Sequence, residues 1–181
     1  MTKLKRKIKL TDTTGFTLVE AMVTMLIFSV LAGGLFAVLR AGDNSWQTNQ
    51  VKVELQQDLR KAIEWMKDDL REAGTTSIED VPADGSWHTS ITFKTPSGIS
   101  GGTLVWNTDT IQFITGGTGG TQLLRISGGV TKVIAQYIQL VQFRRQPSSS
   151  DILEIQIQGQ KDTVQGNIIN YQLDYKVQLR N

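Results

Sequence analysis

Residues 21–39 form an uninterrupted run of 19 uncharged residues, most of them apolar. At a rise of 1.5 Å per residue the run spans roughly 28 Å as a helix, about the thickness of a bilayer's hydrocarbon core. A helix apolar on all sides over this length would be unusual as the buried core of a chain of 181 residues. We read it as a single membrane-spanning helix. Lys3, Lys5, Arg6, Lys7 and Lys9 crowd the segment before it, against Asp12 alone. Only Arg40 and Lys52 follow closely on the other side. That asymmetry predicts a cytoplasmic N-terminus and export of the remainder. A cleaved secretory signal also combines a basic start with an apolar run. Against it, the run is longer than an ordinary signal core. The small-residue site Ala32-Gly33-Gly34 also lies inside the run, with Leu35 to Leu39 still to come.

Composition narrows the chemistry. Without cysteine there are no disulfides, no thiolate zinc sites and no thiol nucleophile. One histidine, His88, leaves no two-histidine metal motif. The formal net charge of +2 is too small for nucleic-acid binding by bulk electrostatics. It is also the sum of two unlike parts. Residues 1–15 carry five basic and one acidic side chain, and the rest carries 14 basic and 16 acidic. No nucleic-acid partner, cofactor, metal site or enzymatic activity is expected.

The junction between the basic leader and the apolar run reads Gly15-Phe16-Thr17-Leu18-Val19-Glu20. A basic leader, Gly-Phe, and a glutamate inside the following apolar helix together resemble the type IV prepilin family, which includes type IV pilins and the pseudopilins of type II secretion. The resemblance implies cleavage between Gly15 and Phe16 by prepilin peptidase and N-methylation of Phe16. It further implies that Glu20 pairs with the amine of a neighbouring subunit and sets axial register. Other minor and major pilins or pseudopilins, the inner-membrane assembly platform and the lipid bilayer are the implied partners. Glu20 stands out without the resemblance too, since a buried charge costs on the order of 3 kcal/mol on insertion scales. At one turn of depth it can instead snorkel to the interface.

Past the membrane the helical period continues. Leu55, Leu59, Ala62, Ile63, Met66, Leu70 and Ala73 make one apolar stripe. The charges around it suggest local pairs, Arg60 with Glu64, Asp58 with Lys61, and Asp68 with Arg71. Gly74 is placed to cap the helix end. Unbroken, the helix over residues 16–73 would measure roughly 87 Å. Gly33-Gly34 and Gly42 are points where it could pack closely against a neighbour or unwind.

After Pro82 the period becomes two. Ile169, Tyr171, Leu173, Tyr175 and Val177 alternate with polar residues, as do Leu153, Ile155 and Ile157. Earlier strands are expected at Ile91 and Phe93, Ile111 and Phe113, Leu124 and Ile126, and over residues 134–143. The expected fold is α+β and pilin-like: a long N-terminal helix, membrane-spanning in its first half, packed on an antiparallel β-sheet head. The expected division is a cleaved leader at 1–15, a transmembrane and filament-core helix at 16–40, an amphipathic continuation at 41–74 and a β-rich head at 75–181.

Within the prepilin family, the helix stretch over residues 59–71 and the order of the later strands are similar to PilW-like minor pilins and J-type pseudopilins. Major pilins generally close a C-terminal disulfide loop, which this chain cannot form, so a minor subunit is the expected role. A pseudopilin of a type II secretion system is the nearest alternative. A signal-anchored periplasmic binding module or enzyme is the alternative of another class.

Residues that could carry chemistry have simpler readings. The glycine clusters between Gly98 and Gly129 lack the following helix that a phosphate loop needs, and read as hairpin turns. His88 with Asp80 or Asp84 lacks a nucleophile elbow or oxyanion site. Glu79, Asp80 and Asp84 could supply oxygens to calcium but form no twelve-residue loop. Arg144-Arg145 is too short a patch for DNA. Trp46, Trp65, Trp87 and Trp106 are candidates for partner anchors or for core.

Overall fold

The computed structural model describes residues 15–180. All of the basic leader except Gly15, and Asn181 at the other end, lie outside the described residues. The chain is one helix, α1 (Leu18–Glu72), followed by seven antiparallel strands, so the fold is α+β. The compact units divide between Asp43 and Asn44.

In the first unit α1 is helical straight through Gly33, Gly34 and Gly42. From Phe16 to Leu39 every large hydrophobic residue is exposed. The helix is long and apolar enough to cross a membrane.

The second unit has its own core. The strands are β1 (Ser90–Ser100), β2 (Thr103–Gly116), β3 (Gln122–Ser127), β4 (Val130–Ala135), β5 (Ile138–Gln146), β6 (Ser149–Asp162) and β7 (Ile168–Gln178). They form two sheets rather than one, ordered β1-β2-β3-β4 and β5-β6-β7. Residues 134–143, expected as a single strand, break at Gln136 and Tyr137. There the chain leaves one sheet for the other, with Tyr137 at φ 61°. The glycine pairs Gly101-Gly102 and Gly128-Gly129 close two-residue hairpins with both φ positive, which a side chain would resist.

All seven residues of the expected stripe, from Leu55 to Ala73, are buried with Phe93, Phe113, Phe143, Leu153, Ile155 and Ile157 in one core. Each such side chain contributes about 1.5–3 kcal/mol by leaving water. The sheet comes so close to the helix at Gly159 that an added Cβ would lie 2.8 Å from Leu55 Cδ1 and 3.1 Å from Leu59 Cδ2. β3 turns Leu123 to the core and points Arg125 at Asp69 of the helix, Nε to Oδ2 2.6 Å. The expected pair Leu124 and Ile126 is only half-buried.

Two expectations for the helix end differently. None of the three local charge pairs closes to ion-pair distance; Glu54 reaches Lys161 (2.9 Å) and Asp69 reaches Arg125 instead. Gly74 does not adopt a left-handed cap. Ser77 Oγ accepts from its N–H at 3.0 Å, and Arg180 N–H donates to the Ala73 carbonyl at 2.9 Å. What requires glycine at 74 is space: a Cβ there would sit 2.3 Å from the Trp106 ring.

Candidate processing and assembly site

The first turn of α1 is closed by a reciprocal pair of side chains. Thr17 Oγ1 accepts from the Glu20 N–H at 3.2 Å, while Glu20 Oε2 accepts from the Thr17 N–H at 3.2 Å and its hydroxyl at 3.1 Å. This is a capping box, which satisfies helix N-terminal donors that have no partner within the helix. Its signature, Thr-x-x-Glu ahead of an apolar run, is legible at residues 17–20. The charge of Glu20 within an apolar run draws the eye to the membrane and away from this local role. Among the described residues the carboxylate's bonds are made through Oε2. Gly15 and Phe16 lie just outside the cap, both exposed. A Cβ at Gly15 would meet nothing within 4 Å. The bond between Gly15 and Phe16 lies ahead of the helix rather than inside it.

From Ala21 to Leu39 the surface offered by α1 carries no charge and is mostly apolar. Thr24 and Ser29 return their hydroxyls to the Glu20 and Met25 carbonyls, at 2.7 and 2.5 Å, so they present little free polarity to lipid.

The head's candidate residues do not converge on a reaction centre. Ser86 Oγ sits between Asp84 Oδ1 and His88 Nε2, the latter at 2.8 Å. In a hydrolytic triad the imidazole occupies the middle and takes the hydroxyl proton. Here the hydroxyl bonds directly to the carboxylate, and its bond together with the Ser86 N–H holds Asp84 below the usual carboxylate range. Asp80 instead ties the segment after the helix to β1, accepting from Thr92 N–H at 2.6 Å. Glu79 pairs with Lys94 at 3.1 Å. The three acids thus serve three separate contacts, and no group of metal-ligating side chains gathers among the described residues.

Arg144 and Arg145 are no basic patch. Arg144 stacks on Trp87 (4.3 Å to the ring centroid) and bonds Glu154. Glu154 also takes Lys176 at 2.8 Å. Hydrogen bonds from Lys176 and Arg144 pull the Glu154 carboxyl from 4.5 down to about 2. Arg145 turns inward, 8% exposed, and donates to the Val81 and Thr75 carbonyls at 2.7 and 2.9 Å. Burial lowers its guanidinium pKa. None of the four tryptophans is fully buried: Trp106 covers Gly74, Trp65 carries Lys132 at 3.9 Å, and Trp46 is 66% exposed.

Residues 12–36 match the family model described as the prokaryotic N-terminal methylation motif. The matched span contains Gly15, Phe16, the capping box and most of the exposed apolar run. The chain therefore carries a type IV prepilin-like processing motif on a helix consistent with inner-membrane anchoring. No curated protein and no solved structure matches the chain.

Proposed function

We propose that the chain is a non-enzymatic filament subunit, a minor pilin of a type IV pilus held in the inner membrane until it is drawn into the filament. Prepilin peptidase cuts between Gly15 and Phe16, and the new Phe16 amine is methylated. The head lies in the periplasm and the leader in the cytoplasm. Subunits then associate through the apolar faces of residues 16–39, in a tip or priming complex with other minor subunits.

The observation that carries this reading is one juxtaposition. A methylation motif opens a helix whose large apolar side chains are exposed from Phe16 to Leu39, while the head has a core of its own. Such a helix needs lipid or other helices around it. Glu20 is compatible with setting register, its capping bonds being made through Oε2. Cleavage leaves Thr17 and Glu20 together, so the cap survives processing.

Mass spectrometry of the purified protein tests the processing step: the expected mature chain begins at methylated Phe16. A chain that keeps Met1, or one cut beyond Leu39, overturns it. Glu20→Ala is expected to abolish incorporation into filaments while membrane insertion persists, and unchanged incorporation defeats the register role. Neighbouring genes for a secretion machine, in place of pilus assembly, would reassign the subunit to a type II pseudopilus.

A further inference from the structure

We propose that the free edge of β7 receives an extended strand from a neighbouring subunit of another kind, which adds a fourth strand to the three-stranded sheet. The inference rests on the filament reading above and deepens it, by naming where on the head a neighbour is held.

The two sheets end in β1, β4, β5 and β7, and the first three of these edges are blunted. β1 carries Pro96, with a register shift on either side of it. β4 is six residues long and bears Lys132. β5 shifts register near both ends, and its middle is closed by His88, which exchanges backbone bonds with Phe143 at 2.9 and 2.8 Å. Proline, short length, lysine and irregularity are the usual protections of a sheet edge. β7 lacks them. It pairs with β6 over eleven residues without a register shift, and contains neither proline nor glycine. Its one lysine, Lys176, turns to Glu154 at 2.8 Å. Among the described residues no strand and no other backbone group bonds the far side of β7.

The inner row beside that edge is incomplete. Ile169, Tyr171 and Leu173 pack against the core while only partly buried, and Tyr175 stays 38% exposed. Between this row and α1 lies a cleft of about 290 Å³, lined by Ile63, Leu173 and Tyr175 together with Arg60, Glu64 and Lys67. An added strand would run about 4.8 Å beyond β7, so every second side chain falls on the cleft side. In strand addition the backbone bonds supply affinity, and pockets for alternate side chains supply selectivity. The cleft asks for apolar residues at those positions and polar ones between, with a base set against the exposed Asp174. A second copy fits this edge less well. β7 follows the head's part of α1 in the same sense, from Tyr171, paired to Gly159 beside Leu55, to Arg180 on Ala73. Two β7 edges joined by twofold symmetry would therefore set those helix segments antiparallel. Subunits entering one filament in succession present their heads in one sense.

The test uses the full chain in its own cells during assembly, with the photo-crosslinker p-benzoylphenylalanine at Gln172 on β7 or, as control, at Thr131 on β4. Both positions are exposed. The expected adduct at Gln172 joins an alternating apolar and polar segment of a different chain with a methylated amino terminus, in several-fold higher yield than at Thr131. Tyr175→Lys puts a charge beside the cleft and should cut that yield several-fold. Where Tyr175→Lys also lowers the head's unfolding midpoint, Asp174→Lys, at an exposed position, should cut the yield in its place. In the purified adduct, alternate β7 amides should exchange several-fold more slowly than in the free subunit. A yield at Gln172 no greater than at Thr131, an adduct only to a second copy, a yield that neither variant lowers, or unslowed β7 amides overturns strand addition. Methylated Phe16 in the same sample then leaves the filament reading standing, whereas a chain that keeps Met1 overturns both.

Discussion

The two halves of α1 are built from similar apolar residues and do opposite things. Between Leu18 and Leu39 the apolar residues face outward on all sides. Between Leu55 and Leu70 they are confined to one stripe and buried, while charges cover the remaining faces. The first half thus suits an apolar environment and the second suits water. In the first half the capping box and hydroxyl back-bonds keep backbone and side-chain polarity internal. In the second, Glu54 and Asp69 reach across to the sheets. Arrangement of the apolar residues, more than their number, decides which half can fold in water.

The sharpest way to break this comparison is to truncate one leucine in each half. Leu59→Ala removes a fully buried side chain and should cost about 3 kcal/mol of head stability in denaturant unfolding of the detergent-solubilised chain. Leu26→Ala should leave that transition unmoved, because Leu26 touches no core. Equal effects would show that the halves are not energetically separate. Arg145→Met comes next. It deletes two charge-assisted bonds to buried carbonyls and is expected to cost about 2–3 kcal/mol, with protease cleavage appearing in the segment they hold, residues 75–85. Gly159→Ala tests how closely helix and sheet approach. The added methyl meets both leucines and a backbone oxygen, and thermal unfolding should report a loss of about 1–3 kcal/mol.

Smaller effects sharpen the other side. Thr17→Ala opens the capping box and should cost about 1 kcal/mol of helix stability, read as faster amide exchange confined to the first turn of α1. The smallest effect is expected at Glu154. Its folded carboxyl titrates at about 2 against 4.5 when free, so its stabilisation is complete above pH 4.5 and is lost as pH falls toward 2. Lys176 is largely exposed and solvent screens the pair, so the contribution is on the order of 1 kcal/mol. Glu154→Gln should flatten that part of the acid-unfolding curve.

What could be read from the residues follows the same division. The stripe from Leu55 to Ala73 is visible because a period of 3.6 needs only one buried face. The apolar run is visible because a bilayer asks for nothing but length and the absence of charge. The helix's ion pairs differ from the local pattern because a partner three or four residues away competes with partners that only the tertiary fold supplies. Asp69 finds Arg125 at the sheet, and both are three-quarters shielded. Strand alternation reveals strands without saying which sheet owns them, so the passage at Tyr137 left no mark in the pattern. The inward turn of Arg145 is not legible in the sequence, because carbonyl partners at Thr75 and Val81 have no signature in composition.

The bond from Arg180 to the Ala73 carbonyl also bears on how the subunit carries load. In the filament we propose, tension would reach each head along α1. The stripe, the pairs at Glu54 and Asp69, and the Ala73–Arg180 clasp follow one another along the helix, so such a pull would be shared among several contacts. The last described residue of the chain is thereby a fastening at the far end of the helix.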